Sequence, residues 1–198
     1  LAQEKPQRVA VCFDKSRHTF RTELYAEYKG QRAATPSELS PQFESCKALL
    51  EAMGVVWEEA EGFEADDIIG TLSRLGAAEQ NEVLILTGDR DSFQLIGENV
   101  RVMMTRKGIS QTEIWDEAAL LEHYALTPAQ MIDLKALMGD ASDNIPGVAG
   151  VGEKTALKLL AEYHDLDTVL ANTANVSGKA LRAKLENGRE SALLSRRL

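Results

Sequence analysis

Eight carboxylates fall in four tight groups along this chain, and a fold that gathers them needs positive charge between them. Asp14 ends the apolar run 9–13. Glu64, Asp66 and Asp67 open a helical pattern. Asp89 and Asp91 follow a second apolar run. Asp140 and Asp143 lie in Gly139-Asp140-Ala141-Ser142-Asp143-Asn144, after another helical pattern. Converging carboxylates repel one another strongly unless cations intervene. Hard divalent cations prefer oxygen ligands, and magnesium combines a few carboxylates with water and substrate phosphate. The four groups therefore point to a magnesium-dependent enzyme acting on phosphate.

Their placement along the chain supports this. The short apolar runs 9–13, 55–57, 83–87 and 100–104 read as strands, the first and third as buried ones. Helical patterns at 41–53, 64–75 and 91–96 alternate with them. That alternation predicts an α/β fold, a mostly parallel sheet flanked by helices. Ligands of open α/β sheets collect at the carboxyl ends of the strands, where Asp14, Asp89 and Asp91 lie. Acids in a first helical turn also complement the helix dipole, at ~0.3–1 kcal/mol each. Capping accounts for one or two acids per group, but not for Asp-x-Asp after a strand or for a loop acid followed by another three positions later. The chemistry expected is two-metal phosphodiester hydrolysis, with an acidified water as nucleophile. No side-chain nucleophile is signalled: there is no Gly-x-Ser-x-Gly, and His18, His123 and His164 are scattered and read as surface residues.

Beyond Ile114 every pattern is helical: 116–124, 128–138, 153–163, 166–170, 178–186 and 190–198. The seam falls near 105–115, giving an α/β part over 1–110 and a helical part over 111–198. Thr127-Pro128 is a good helix start, threonine as cap and proline at the first position. The helix 41–53 carries Phe43, Cys46, Leu49, Leu50 and Met53 near helical spacing. A glycine hairpin, Ile145-Pro146-Gly147-Val148-Ala149-Gly150-Val151-Gly152, joins helices 128–138 and 153–163. Such glycines let backbone N–H groups approach a phosphate at the start of the next helix, and Lys154 and Thr155 follow at once. A tight interhelical turn is the plainer alternative. Segment 19–32 mixes Arg21, Tyr25, Tyr28, Lys29 and Arg32. This composition suits a mobile, partly exposed element that meets phosphate and bases, and equally an ordinary solvated helix.

Net charge is −9, from 22 basic and 31 acidic residues. Nucleic-acid binders are usually basic, but setting the eight clustered acids aside leaves 22 against 23. The balance elsewhere is near neutral and permits local basic patches. No apolar stretch is long enough to span a membrane. Cys12 and Cys46 fit no zinc spacing and read as two buried thiols in a reducing cytoplasm.

In combination the motifs resemble the 5′-nuclease domain of bacterial DNA polymerase I, within the flap-endonuclease superfamily. The resemblance rests on Phe13-Asp14, Thr19-Phe20-Arg21, Tyr28-Lys29-Gly30-Gln31-Arg32, Gly62-Phe63-Glu64-Ala65-Asp66-Asp67-Ile68-Ile69-Gly70-Thr71, Thr87-Gly88-Asp89-Arg90-Asp91 and the run 136–156. It implies a PIN-like nuclease core followed by a helix–three-turn–helix subdomain near 128–163. It implies that the eight acids bind two magnesium or manganese ions, and that a helical arch near 19–40 carries Arg21, Lys29 and Arg32. Lys29 would orient the scissile phosphate and stabilise charge on it. Gly147, Val148, Gly150, Val151, Gly152, Lys154, Thr155 and Lys158 would hold duplex DNA, with a potassium ion at the loop 147–152. The implied activity is 5′→3′ exonuclease and flap cleavage at a 5′ flap, nick or single-stranded 5′ end, in replication and repair. The implied setting is a monomer in the bacterial cytoplasm, associated with the nucleoid, with a polymerase domain following in the parent chain.

The family's first strand, with its Asp-Gly pair, and the helix after it have no counterpart in 1–198, so the chain reads as a fragment. Two other readings stay open: a DNA-binding module without catalysis, gripping junctions through 147–156 with Lys154, Lys158, Lys179 and Arg182, and a hydrolase of small phosphates.

Overall fold

The computed structural model describes residues 4–107 and 111–198. Two small sheets form. Strand β1 (Ala10–Cys12) pairs in parallel with β2 (Val56–Glu58). Strand β3 (Val83–Thr87) pairs in parallel with β4 (Val100–Lys107), which turns back on β5 (Gln111–Trp115) as an antiparallel pair. The expected parallel pairings are present, divided between these sheets. Strand β5 lies within the part that the sequence pattern assigned to helices. An exposed Ile114 against a buried Trp115 gives it the alternation of a half-buried edge strand, too short to stand out in the sequence. The expected boundary after residue 110 falls beside 108–110, outside the described residues.

Helix α1 (Phe20–Leu24) is one short turn, α2 (Ser40–Ala52) flanks β2, and α3 (Ala65–Ala78) follows it. The helices after the sheet are α4 (Glu117–Tyr124), α5 (Pro128–Met138), α6 (Glu153–Tyr163), α7 (Leu166–Ala171), α8 (Lys179–Asn187) and α9 (Arg189–Arg197). A six-residue 3-10 helix, Arg90–Leu95, leads from β3 towards β4.

The core runs from β3 and β4 through Phe93 and Trp115, stacked with ring centroids 4.6 Å apart, to α5, α6 and α7. Helix α5 sits at its centre, with Met131, Leu134, Ala136 and Leu137 buried. A helix apolar on most of its circumference is stable only when covered on most sides.

Helix α2 is a correction. Its apolar residues do not form a buried face: Phe43, Leu49 and Met53 are exposed, and Cys46 is exposed while Cys12 is half-buried. The two-stranded sheet beneath offers too narrow a face to cover a thirteen-residue helix. The contact is made instead by Lys47, which lies over the rings of Phe13 and Trp57 and pairs with Glu59 at 2.7 Å. The three histidines are exposed, as expected.

Candidate functional site

The acids converge, and basic side chains stand between them. Segment 25–32 is neither a helical arch nor loose. It is a series of turns after α1, fastened to 140–144. Lys29 adopts a positive φ of 53°, and its N–H donates to the Asp143 carbonyl at 2.9 Å. The Lys29 ammonium lies 2.7 Å from Glu64 Oε2 and 3.7 Å from Asp143 Oδ2. Arg32 pairs with the same Asp143 carboxylate. The buried Tyr28 hydroxyl lies 3.2 Å from Glu64 and 3.4 Å from Asp143. Desolvation, then the charges of Glu64 and Asp143, push Tyr28 far above its usual range, so it remains a neutral donor. These pairs fasten the segment to the acidic centre.

A second cation joins the two parts of the fold. Lys135, in the last turn of α5, lies 2.8 Å from Asp91 and pairs also with Asp140. Asp140 accepts further bonds from the Ser142 N–H at 2.7 Å and hydroxyl at 2.6 Å. Against desolvation, these donors hold Asp140 down at about 2. At Asp91 the desolvation wins and its carboxyl is raised.

Asp67 has a different employment from the one expected. It accepts both guanidinium arms of Arg21, each at 2.8 Å, and the Glu64 N–H at 2.8 Å. Such a fork-to-fork pair is well ordered. Although desolvation opposes it, the Arg21 bond holds Asp67 below the usual carboxylate range. Asp67 and Arg21 thus fix the start of α3.

The remaining acids pair with no basic side chain among the described residues. Asp14 accepts the Ala65 N–H at 2.7 Å, and Asp89 caps the 3-10 helix by accepting the Asp91 N–H at 2.9 Å. Asp66 is raised to about 6, by desolvation in the cleft and then by the charge of Asp89, with Asp14 and Glu64 adding to it. Asp14, Asp66 and Asp89 are the uncompensated edge of the centre.

Among the described residues no three of these side chains close on one point as metal ligands do, and Lys29 and Lys135 stand between Glu64 and Asp143 and between Asp91 and Asp140. The donor set, carboxylate oxygen throughout, nonetheless fits a hard divalent cation. A raised Asp66 beside Asp89 and Asp14 is where added positive charge would be most favourable.

The glycine hairpin is largely inward-facing. Val148 and Val151 are buried at 1% and 4%, so their side chains anchor the loop from inside. Their N–H groups are spent on the Leu137 and Val148 carbonyls. Gly147, also buried, exists for close approach: a Cβ there would fall 2.6 Å from the Met138 carbonyl carbon. Gly150, Gly152, Lys154 and Lys158 are exposed and Thr155 is partly so; they form the outward face at the start of α6.

Tyr28, Lys135 and Ser142 were not among the expected site residues. Lys135 had a signal: it is a lone cation in the otherwise apolar stretch 134–138, one turn before Asp140.

The family described as 5′-3′ exonuclease, N-terminal resolvase-like domain, matches residues 1–125, and its companion, 5′-3′ exonuclease, C-terminal SAM fold, matches 126–198. The chain belongs to the 5′-3′ exonuclease family. It is similar to DNA polymerase I of Bacillus caldotenax (48% identity over all 198 residues) and of Bacillus subtilis strain 168 (46%). It spans 23% and 22% of the length of those two relatives. Among solved structures it is similar to the phage T5 5′-exonuclease with bound zinc (TM-score 0.83, 25% identity, 98% of this chain and 74% of that one). The phage T5 flap endonuclease in a complex with DNA and metal ions gives a TM-score of 0.82 at 25% identity, over the same shares of the two chains.

Proposed function

We propose that this chain is a metal-dependent 5′→3′ exonuclease and structure-specific flap endonuclease, the 5′-nuclease part of a bacterial DNA polymerase I acting in replication and repair. The observation that carries this reading is that Asp89, Asp14 and Glu64 lie near enough to Asp66 to raise its carboxyl, while Lys29 bridges Glu64 to Asp143 and Lys135 bridges Asp91 to Asp140. Two divalent cations, magnesium or manganese, would be held by these seven acids; when bound they supply an acidified water as nucleophile and neutralise charge on the leaving oxygen. The T5 structures with metal ions support that assignment.

The chain's own residues do the rest. Lys29 already lies against Glu64, and turning it from that carboxylate towards a phosphate oxygen needs only side-chain rotation. There it stabilises charge developing on the phosphate. Arg32, half-exposed over Asp143, extends the same basic edge. Arg21 and Asp67 hold α3 and with it Glu64 and Asp66. Lys135 keeps Asp91 and Asp140 at a common distance across the two parts. The outward face at Gly150, Gly152, Lys154, Thr155 and Lys158 grips the duplex backbone without reading its sequence. The setting is a monomer in the bacterial cytoplasm, at the nucleoid, and no helix among the described residues is long and apolar enough to cross a membrane.

The test is cleavage of a 5′-labelled flap duplex with magnesium, beside an EDTA control. Asp89→Asn and Asp140→Asn should each abolish cleavage while binding largely survives. Binding with no cleavage by the unaltered chain at any magnesium or manganese concentration would favour the DNA-binding module, the reading suggested by Lys29 and Lys135 standing between the acids.

A further inference from the structure

We infer that Ser191 and Ser195 of α9 are positioning residues of the glycine hairpin, holding its outward face in place relative to Asp140 and Asp143. The inference rests on the proposal that this hairpin holds duplex DNA, and it names residues behind the hairpin that set the grip. Ser191 and Ser195 are one helical turn apart, so both hydroxyls fall on one face of α9. That face meets Gly147. The Ser191 hydroxyl donates to the Gly147 carbonyl at 2.6 Å. The Gly147 N–H donates to the Ser195 oxygen at 2.9 Å. The Ser195 hydroxyl spends its proton on the Ser191 carbonyl at 2.7 Å, which leaves its oxygen free to accept. Both polar groups of one buried residue are thus satisfied by side chains 44 and 48 positions along the chain. Among the described residues they have no other partner, and a buried polar group left alone costs more than the bond it loses.

Neighbouring contacts reinforce the pair. Gly188, where α8 turns into α9, lies against Val148: a Cβ there would fall 2.8 Å from the valine Cγ1. Lys184 of α8 donates to the Gly150 carbonyl at 2.9 Å. On its other side Gly147 is pressed on the end of α5, where a Cβ would fall 2.7 Å from the Gly139 Cα. What the two serines fix is therefore a spacing. Gly147 follows closely on the bridge between Asp140 and Ile145, whose N–H groups donate to each other's carbonyls at 2.9 and 2.8 Å. That bridge closes the turn carrying Asp140 and Asp143. In the other direction the chain runs through Gly150 to Gly152, the N-cap of α6, whose start carries Lys154 and Thr155. One clamped residue thus relates the acids on one side to the outward face on the other.

The experiment is anisotropy titration of a labelled 5′-flap duplex with calcium in place of magnesium, beside hydrogen exchange of the chain without DNA. Ser191→Ala and Ser195→Ala should each bind the duplex about three- to tenfold more weakly. Exchange at the Val148 and Val151 amides should quicken while the interiors of α5 and α6 keep their protection. Ser191→Thr, which keeps the hydroxyl, should restore both. Ser195 is buried and Ser191 only partly so; should Ser195→Ala not fold, the Ser191 variants decide alone. Lys154→Ala, on the outward face, separates this inference from the DNA-holding proposal beneath it. Weaker binding by Lys154→Ala with unchanged binding by the serine variants would overturn the inference and leave that proposal standing. Unchanged binding by all of them would remove the proposal, and the inference with it. Protection lost throughout α5 and α6 along with the affinity, or Ser191→Thr no better than Ser191→Ala, would also overturn it, reducing the serines to ordinary packing.

Discussion

Residues 4–80 and 81–198 are held together by different forces. Among the described residues every large apolar side chain in the buried core except Tyr28 lies beyond residue 80. The earlier region instead exposes Phe20, Phe43, Leu49, Met53, Val56, Phe63, Leu72 and Leu75. What ties it to the rest is the charge of Lys29 and Arg32 on Asp143, beside the packing of Ile69 and Ala77 from α3 against the core, while Lys29 on Glu64 and Arg21 on Asp67 lie within it. The later region is a conventional packed core around α5. The difference teaches where sensitivity resides. Mutations of packing should register in the later region, and changes of protonation or metal where the two regions meet at the acids.

The largest expected effect is on packing. Leu137→Ala, at a fully buried site in α5, should cost about 2–5 kcal/mol, whereas Leu75→Ala, half-exposed on α3, should stay within about 0.5 kcal/mol. Urea denaturation of both variants checks this, and equal losses would break the contrast. Lys29→Ala should lower flap cleavage by about 10²–10³-fold with little change in the cooperative unfolding of the core. A matching collapse in stability would mean that the charged segment organises the whole fold. Gly147→Ala should destabilise by about 1–3 kcal/mol, because φ is +59° and the added methyl meets backbone. Gly152→Ala, with open space around it, loses only the N-cap preference of α6 and should cost about 0.5–1.5 kcal/mol.

The smallest effect is a pH trend, and it belongs to the earlier region. The folded Asp66 carboxyl, raised to about 6, lies above the ordinary aspartate value. The folded state therefore binds the proton more tightly, and its stability rises as pH falls through about 6. Asp140, depressed to about 2, acts oppositely: its contribution is full above 3.8 and lost as pH falls towards 2. Melting temperature without divalent metal should rise from pH 7 to pH 5 and fall again below pH 4. Added magnesium should raise it most at pH 7, where Asp66 is charged. A profile unaffected by magnesium would argue against cation binding beside Asp66.

The sequence determined where the acids sit along the strand ends and helix starts, because these are local properties. It also determined the helix–glycine hairpin–helix order and the α/β character, from periodicities that depend on near neighbours alone. It could not determine that β5 joins the sheet, since a five-residue edge strand is chosen by its partner β4. Nor could it divide the roles of the acids. Asp66 and Asp67 are adjacent in the chain, yet Arg21 claims one and leaves the other raised beside Asp89. Only the tertiary structure decided that Val148 and Val151 point inward, and that Lys135 and Lys184 reach the acidic centre and the hairpin. These are contacts between distant segments, fixed by packing, and no local propensity encodes them.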